Sequence, residues 1–204
     1  TWNAIGAGLT IPYVTALAVD PSMPTTLYAA TGDGVFKSTD GGESWSMANA
    51  GLPRANIFAL AIDPVTPATL YAATMGKGVF KSTDGGESWG ATGTGLPVTV
   101  LASGEEWVTA ITALVVDPVT PTTLYAGTGG QGVLKSTDGA ASWGAANTGL
   151  HANAIVYVLA VDPTTPDTVY AGIWGGVFKS TDAGESWSRA STGLTSSDIS
   201  ALVI

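Results

Sequence analysis

Short apolar runs of four kinds alternate along the chain with turns rich in Gly, Pro, Asp and Thr. In the first unit these runs are "TALAVDP" (15–21), "TLYAAT" (26–31), "GVFKSTD" (34–40) and a segment that begins at "SW" (44–45). Short runs rich in β-branched and aromatic residues and bounded by turn residues predict β-strands, whereas a surface helix would show apolar positions every three or four residues. We name the predicted strands A, B, C and D in chain order, and their close succession predicts an antiparallel meander.

The four-strand unit repeats with a period of about 44 residues. An Asp-Pro pair that ends strand A begins at Asp20, Asp63, Asp117 and Asp162, and one interval is about ten residues longer than the others, which places an insertion within residues 97–110. A period of this length with four strands per unit predicts an all-β fold, a β-propeller built from four-stranded antiparallel blades. An immunoglobulin-like sandwich is the competing all-β fold, but sandwiches do not repeat with this regularity.

The repeat predicts a single β-propeller segment over residues 1–204 with a surplus strand at each end. Trp2 opens a D-like segment, and "ISALVI" (199–204) matches "VTALAV" (14–19), so we expect an extra outer strand at the N-terminus and an extra inner strand at the C-terminus. Such a chain does not close a conventional ring, so we expect a longer propeller or self-association of copies. The predicted repeat units are 14–56, 57–110, 111–155 and 156–198, with part-blades at 1–13 and 199–204.

One stretch, "GVFKSTDGGESW", occurs identically at 34–45 and 78–89 and with changes at 132–143 and 176–187. Its pattern S-x-D-x-G-x-S-W is similar to the Asp-box, or BNR repeat, except that Ala140 replaces the glycine in the third copy. Asp-box propellers include sialidases, sortilin-like receptors, xyloglucan-cleaving glycoside hydrolases and a photosystem II assembly factor. The resemblance implies a β-propeller in which the box is a structural turn at the outer edge of a blade, away from the functional surface. The matching residues are Ser38, Asp40, Gly42 and Trp45; Ser82, Asp84, Gly86 and Trp89; Ser136, Asp138 and Trp143; and Ser180, Asp182, Gly184 and Trp187.

The residues of this stretch also predict a turn by their own chemistry. The Asp carboxylate can accept hydrogen bonds from the amides of the turn, the glycines tolerate positive φ, and the Trp supplies a large apolar anchor between sheets. Four copies argue against catalysis, because an active site needs one set of groups. The Asp-Pro aspartates are predicted to cap turns in the same way. We expect the repeated lysines to be solvated or paired with carboxylates; they are Lys37, Lys81, Lys135 and Lys179.

Function in a repeat protein is expected where the repeats differ. In an antiparallel meander the A–B and C–D turns share one face, so the B–C turns and D–A links share the other, with the insertion. Aromatic side chains there can stack on a sugar ring or hold a peptide side chain, and carboxylates can accept from hydroxyls. The alternative is that Trp107 packs its own loop and Trp174 covers a blade edge. The candidate ligand-binding residues are Trp107, Trp174, Glu105, Glu106, Asp33, Phe58 and Tyr157.

Composition narrows the classes of partner and cofactor. The chain has 7 Lys and Arg residues and 16 Asp and Glu residues, which gives a net charge of −9. This charge argues against nucleic acid and anionic membrane as partners. The chain has no Cys and one His, His151, so thiolate and multi-His metal sites are excluded and we expect no cofactor. His151 is predicted to be an exposed turn residue. No apolar run is long enough to predict a membrane span, and the small-residue, low-charge composition favours an extracellular or periplasmic protein.

Catalysis by this chain alone is not predicted. A sialidase-like site needs clustered arginines, but Arg54 and Arg189 lie far apart in sequence. Glycoside hydrolysis needs two carboxylates held about 5–9.5 Å apart, and no motif pairs two acidic residues here. We therefore expect a non-catalytic module that binds a protein or a glycan, or acts as a scaffold. Two alternatives stay open: the propeller portion of a glycoside hydrolase acting on polysaccharide, and a purely structural self-assembling repeat protein.

Overall fold

A computed structural model describes residues 6–10, 13–100, 102–104, 106–195 and 199–204. These residues form 18 strands and no helix. The first sheet comprises β1 (Val14–Val19), β2 (Leu27–Thr31), β3 (Gly34–Ser38) and β4 (Ser46–Met47), and the second comprises β5 (Ile57–Ile62), β6 (Leu70–Thr74), β7 (Gly78–Ser82) and β8 (Gly90–Thr92). A hairpin, β9 (Val98–Val100) and β10 (Glu106–Val108), follows. The third sheet comprises β11 (Ile111–Val116), β12 (Leu124–Thr128), β13 (Val133–Ser136) and β14 (Gly144–Ala145), and the fourth comprises β15 (Val156–Val161), β16 (Val169–Ile173), β17 (Gly176–Ser180) and β18 (Ser188–Arg189).

Each of the four sheets is an antiparallel meander in the order A, B, C, D, as predicted. The A strands of successive sheets pack side by side, and the leucines at their fourth positions line one cavity together with Ile204. These leucines are Leu17, Leu60, Leu114 and Leu159. Strand A is therefore the inner strand of each blade and strand D the outer one.

The D strands are shorter than the sequence pattern predicts. They contain two or three residues each and begin after the Trp of each repeat rather than at it. The reason is that the Trp amide bonds outside its own sheet: Trp89 N donates to Ala50 O, in the link that precedes the second sheet, over 2.8 Å. The Trp is thereby anchored to the neighbouring blade instead of to strand C.

The hydrophobic core is divided into three layers, each lying between two neighbouring sheets. In the layer between the second and third sheets, Tyr71 and Ala73 pack with Ile111, Leu124 and Trp143. Small residues in strand B leave room for the next inner strand: a Cβ at Gly127 would come within 2.7 Å of Val156 Cγ1. Stability therefore depends on contacts between blades, because one sheet alone cannot bury both of its faces.

The two terminal segments differ from the prediction in their secondary structure. Trp2 lies outside the described residues, and the described residues 6–10 and 199–204 contain no named strand. Ile199 nevertheless packs on the fourth sheet, where its Cγ2 lies 2.8 Å from the position that a Cβ on Gly172 would take. Val156 packs against Gly127 of the third sheet in the same way. Whether these segments complete part-blades stays a prediction.

The inner leucines provide a matched test of the layered core. Leu114 is 6% exposed between the second and third sheets, whereas Leu17 at the same strand position is 62% exposed. Leu114→Ala should lower the free energy of unfolding by about 2–5 kcal/mol, since it removes buried methyl groups and leaves a cavity. Leu17→Ala should change it by less than about 1 kcal/mol. Urea unfolding of the two variants at low protein concentration measures both, and equal losses would contradict the layered core.

Candidate functional site

The four segments 38–45, 82–89, 136–143 and 180–187, which we call the Asp-box-like turns, share one hydrogen-bond pattern. In the first, Ser38 Oγ donates to Asp40 Oδ1 over 2.7 Å, and Ser44 donates through its amide to Asp40 Oδ1 and through its hydroxyl to Asp40 Oδ2. Gly42 N closes the turn on Ser38 Oγ over 2.9 Å. The third copy keeps these bonds because Ala140 adopts a φ of 71° and donates to Ser136 Oγ. The carboxylates are therefore fully engaged within their turns.

Hydrogen bonding lowers the pKa of the aspartate in every Asp-box-like turn. The Ser44 hydroxyl, the Ser44 amide and the Ser38 hydroxyl together hold the pKa of Asp40 at about 2, below its ordinary value of 3.8. Asp84, Asp138 and Asp182 have the same low pKa, with the serine hydroxyl four residues later as the largest cause. These residues stay ionised at any physiological pH and act as acceptors, so they are unsuited to transfer protons.

The second, third and fourth Asp-box-like turns also dock on the preceding blade. Tyr28 Oη and Lys37 Nζ both donate to Gly85 O, over 3.0 and 2.9 Å, and Trp89 Nε1 donates to Ala48 O over 2.8 Å. Burial, with a contribution from Asp20, raises the pKa of Tyr28, so its hydroxyl remains protonated and available as a donor. These contacts join neighbouring blades; that the turns serve structure alone stays a prediction.

The repeated lysines differ from the expectation that they are solvated or paired with carboxylates. Each lies over the ring of the strand-B tyrosine in its own sheet, with Nζ 5.3–5.9 Å from the ring centroid. Lys37 and Lys81 donate to a main-chain carbonyl of the next turn, and only Lys135 has a carboxylate partner described, Glu185 at 3.6 Å. The tyrosine ring and the main-chain carbonyl lie directly beside strand C. The lysine ammonium groups therefore contact them instead of the carboxylates that we expected.

The two faces of the molecule are assembled as the meander predicts. On one face, Gly85 N of an Asp-box-like turn donates to Ala68 O of the A–B turn in the same blade. On the opposite face, which we call the variable face, Met75 N of a B–C turn donates to Asn56 O in the preceding D–A link. The Asp-Pro aspartates cap their turns as expected: Asp63 Oδ1 accepts from the amides two and three residues later.

The described candidate binding residues lie on the variable face, which does not expose them equally. Trp107 in hairpin β9–β10 lies half-buried over Gly76, where a Cβ would come within 2.3 Å of its ring, so it packs its own loop onto the second blade. Trp174 is 71% exposed. Glu106 is exposed, and Asp33 accepts from Thr10 Oγ1 over 3.1 Å. Glu105 lies outside the described residues.

Phe58 and Tyr157 occupy the second position of their inner strands, where the other two sheets have threonines. Thr15 Oγ1 donates to Ile57 O over 2.5 Å, and Thr112 makes the equivalent bond to the fourth sheet. Phe58 is half-buried and Tyr157 is 45% exposed. These aromatics therefore lie where the inner strands enter from the variable face.

Trp174 lies beside an open cavity of about 490 Å³ lined by residues 151–155 and Gly175. Sequence reasoning assigned His151 only to an exposed turn, but its ring packs edge-to-face on Phe178, with centroids 5.3 Å apart, and lines this cavity. No sequence signal pairs His151 with Trp174, because the link and the B–C turn meet only through the fold.

Neither a metal-binding cluster nor a membrane-spanning helix is found among the described residues. These residues hold no group of three or more His, Cys, Asp or Glu that could bind a metal ion. None of their segments is a helix long and apolar enough to cross a membrane.

Solved structures with this fold are similar over nearly the whole chain. An ancestral GH74 enzyme matches 94% of the chain with a TM-score of 0.73 and 25% identity, and the GH74 xyloglucanase from Xanthomonas campestris matches 91% with 0.68 and 20%. YCF48 bound to a D1 peptide matches 93% with 0.61 and 17%. The chain spans 25%, 31% and 56% of these structures respectively. No family model and no curated protein matches.

These similarities confirm the resemblance to xyloglucanase-like and photosystem II assembly factor-like propellers at the level of fold. The number of blades in a closed ring stays a prediction, and so does the assignment of the binding residues.

The depressed pKa values predict a loss of stability in acid. A carboxyl with a folded-state pKa of about 2 and an ordinary value of 3.8 stabilises the fold fully above about pH 4, and this contribution is lost as the pH falls through 2. The free energy of unfolding should therefore decline between these pH values, and less steeply in Asp84→Asn.

Chemical unfolding at a series of pH values measures this slope. Glu106→Gln is the control, because it removes an exposed carboxylate outside the Asp-box-like turns. A slope that Asp84→Asn leaves unchanged would refute the role of the turn carboxylates.

Proposed function

We propose that this chain is a non-catalytic binding or scaffold module, part of a β-propeller, whose ligand binds the variable face beside Trp174. The observation that carries the proposal is the 71% exposure of the Trp174 side chain next to an apolar cavity. Covering a solvent-exposed aromatic ring with a ligand lowers the free energy of the complex, because apolar surface leaves water. Exposed aromatic residues of this kind are common anchors in binding sites. The second, third and fourth Asp-box-like turns, by contrast, are engaged in contacts with the preceding blade.

The walls of the cavity are held by the main chain. Trp174 N donates to Ile155 O over 3.4 Å, and Ala154 N donates to His151 O over 3.2 Å. Arg189 Nη2 donates to Gly175 O over 2.9 Å, which ties the B–C turn to the outer strand. A wall fixed in this way loses little conformational entropy when it binds, which favours affinity.

The lining indicates the chemistry of the ligand. Residues 151–155 supply alanines, Ile155, the imidazole of His151 and the amide of Asn153, and no side chain that is permanently charged. This set suits a neutral group with an apolar face and a few hydroxyls or amides, such as a sugar ring or a neutral peptide side chain. The net charge of −9 disfavours acidic partners. YCF48 bound to a D1 peptide and the GH74 enzymes support a peptide and a glycan respectively.

The second candidate is the propeller portion of a glycoside hydrolase, favoured by the 25% identity with the ancestral GH74 enzyme. Among the candidate acids described, Asp33 belongs to the B–C turn of the first sheet and Glu106 to the hairpin after the second. A hydrolase that used this chain would need catalytic groups from outside it. We place both candidates outside the cell or in the periplasm, on the composition of the chain.

Substitution of Trp174 tests the proposed site. Trp174→Ala should weaken binding by about tenfold or more, because it removes the exposed ring, and Trp174→Phe should lose less. Met75→Ala is the matched control, since Met75 follows strand B of the second sheet at the equivalent position and is 40% exposed. Arrays of neutral oligosaccharides and of aromatic peptides identify a probe, and fluorescence titration measures its affinity.

Absence of binding on both arrays would contradict the proposed function. Binding that Trp174→Ala leaves unchanged would contradict the location of the site. Hydrolysis of a polysaccharide by the purified chain would favour the second candidate.

A further inference from the structure

The junctions between sheets are built from one repeated set of parts, which we call the socket. In the third sheet, Tyr125 Oη donates to Ala183 O over 3.0 Å, and Lys135 lies 3.6 Å from Glu185 of the same turn. Ala146 O and Thr148 O accept from the indole and the amide of Trp187, both over 2.8 Å. The socket is thus a strand-B tyrosine, a strand-C lysine and two outer carbonyls, and its occupant is an Asp-box-like turn.

Each socket also contains a glycine, at a position where a side chain would collide with the docked turn. A Cβ on Gly51 would come within 2.1 Å of Trp89 O, and a Cβ on Gly149 would come equally close to Trp187 O. Contacts under 3.0 Å are essentially unknown for a real Cβ, so only glycine allows the turn to approach. This glycine therefore marks a position where the neighbouring turn docks.

The fourth sheet has the same set on its outer side, formed by Tyr170, Lys179, Ala190, Thr192 and Gly193. Lys179 Nζ lies 5.4 Å from the centre of the Tyr170 ring, as in the other sheets. Tyr170 is half-buried and Ala190 exposed, whereas the equivalent Tyr and Ala residues of the first and third sheets are buried. Among the described residues, no heavy atom other than those of its chain neighbours lies within 4 Å of a Cβ placed on Gly193. A formed socket is therefore exposed.

The first blade exposes the matching surface. Trp45 is half-buried, whereas the other three Trp residues of the Asp-box-like turns are 5–6% exposed. Its indole N–H donates to Gly42 O of its own turn over 3.0 Å, not to a neighbouring sheet. Val14 and Leu17 of β1 are 41% and 62% exposed, although Ile57 and Leu60 at the same positions of β5 are 0% and 8% exposed.

We propose that copies of this chain associate head to tail, with the socket of the fourth sheet binding the Asp-box-like turn Ser38–Trp45 of a second copy. Lys179 then lies beside Glu43 of that copy, as Lys135 lies beside Glu185 within one chain. The inner strand β1 of the second copy packs on β16. The interface joins two different surfaces, so it produces either a closed ring or an open chain of copies.

Two terminal segments compete for the same positions within each chain. Ala7 O accepts from Trp45 N over 2.8 Å, which is the role of Thr192 O in the proposed association. Ile199 packs at Gly172, which is the position of Val14 from the second copy. The described residues of these segments form no named strand, whereas β1 belongs to a four-stranded sheet. Association therefore exchanges contacts with segments that form no named strand for contacts with a four-stranded blade.

Sedimentation of the full chain over a range of concentrations tests the proposal. The mass should rise above 20.4 kDa with concentration. Lys179→Glu and Glu43→Lys should each weaken association by roughly tenfold, because each places like charges across the interface. The double variant Lys179→Glu/Glu43→Lys restores an opposite pair and should recover most of the association.

Two further variants separate association from folding. Lys135→Glu should lower the melting temperature of the monomer and leave association unchanged, since its pair with Glu185 lies inside the chain. Ile199→Asn should strengthen association, because it weakens the competing segment. A monomer at every concentration, or single and double charge variants that associate equally, would overturn the proposal.

Discussion

The structure depends on the docking of the second, third and fourth Asp-box-like turns, each on the blade before it. A four-stranded sheet has two faces and cannot bury both by itself, so every blade needs a neighbour. At the junction between the first and second blades, the docked turn makes three kinds of contact: its tryptophan is buried, the indole and amide of that tryptophan donate to outer carbonyls, and a tyrosine and a lysine donate to a carbonyl of the turn. The aspartate does not cross the junction. It shapes the turn that does.

The same arrangement separates stability from function. The turns occupy one face, and all but the first make contacts between blades, which leaves the variable face free to differ from repeat to repeat. The hairpin β9–β10 shows the local effect of such variation. At the junction beside it, the buried indole nitrogen of Trp143 has no hydrogen-bond partner among the described residues, and a cavity of about 610 Å³ is lined by Gly93, Thr94 and Ala141. At the junctions of Trp89 and Trp187, the indole donates to the carbonyl of Ala48 or Ala146. The equivalent residue at the junction of Trp143 is Thr92, which pairs with Val79 in a longer outer strand.

Local chemistry in the sequence predicts much of this fold. The period, the strand types, the turn of Asp40 and the division into two faces all follow from residues close together in the chain, where turn chemistry and alternation act. Contacts between repeats could not be predicted in the same way. The bond from Lys37 to Gly85 O joins residues 48 positions apart and uses a main-chain acceptor, which has no sequence signature. The pairing of His151 with Trp174 was missed for the same reason, and Trp107 could be placed over Gly76 only once the hairpin was known.

Hydrogen exchange of the tryptophan indoles, followed by NMR, tests most directly whether the turns fasten the blades. Trp89 and Trp187 donate to carbonyls of the preceding sheet from buried positions, so their indole protons should exchange only when the protein unfolds globally. The exposed indole of Trp174 should exchange rapidly and serves as the internal reference. If Trp89 and Trp187 exchanged as fast as Trp174 under native conditions, the turns would not hold the blades together.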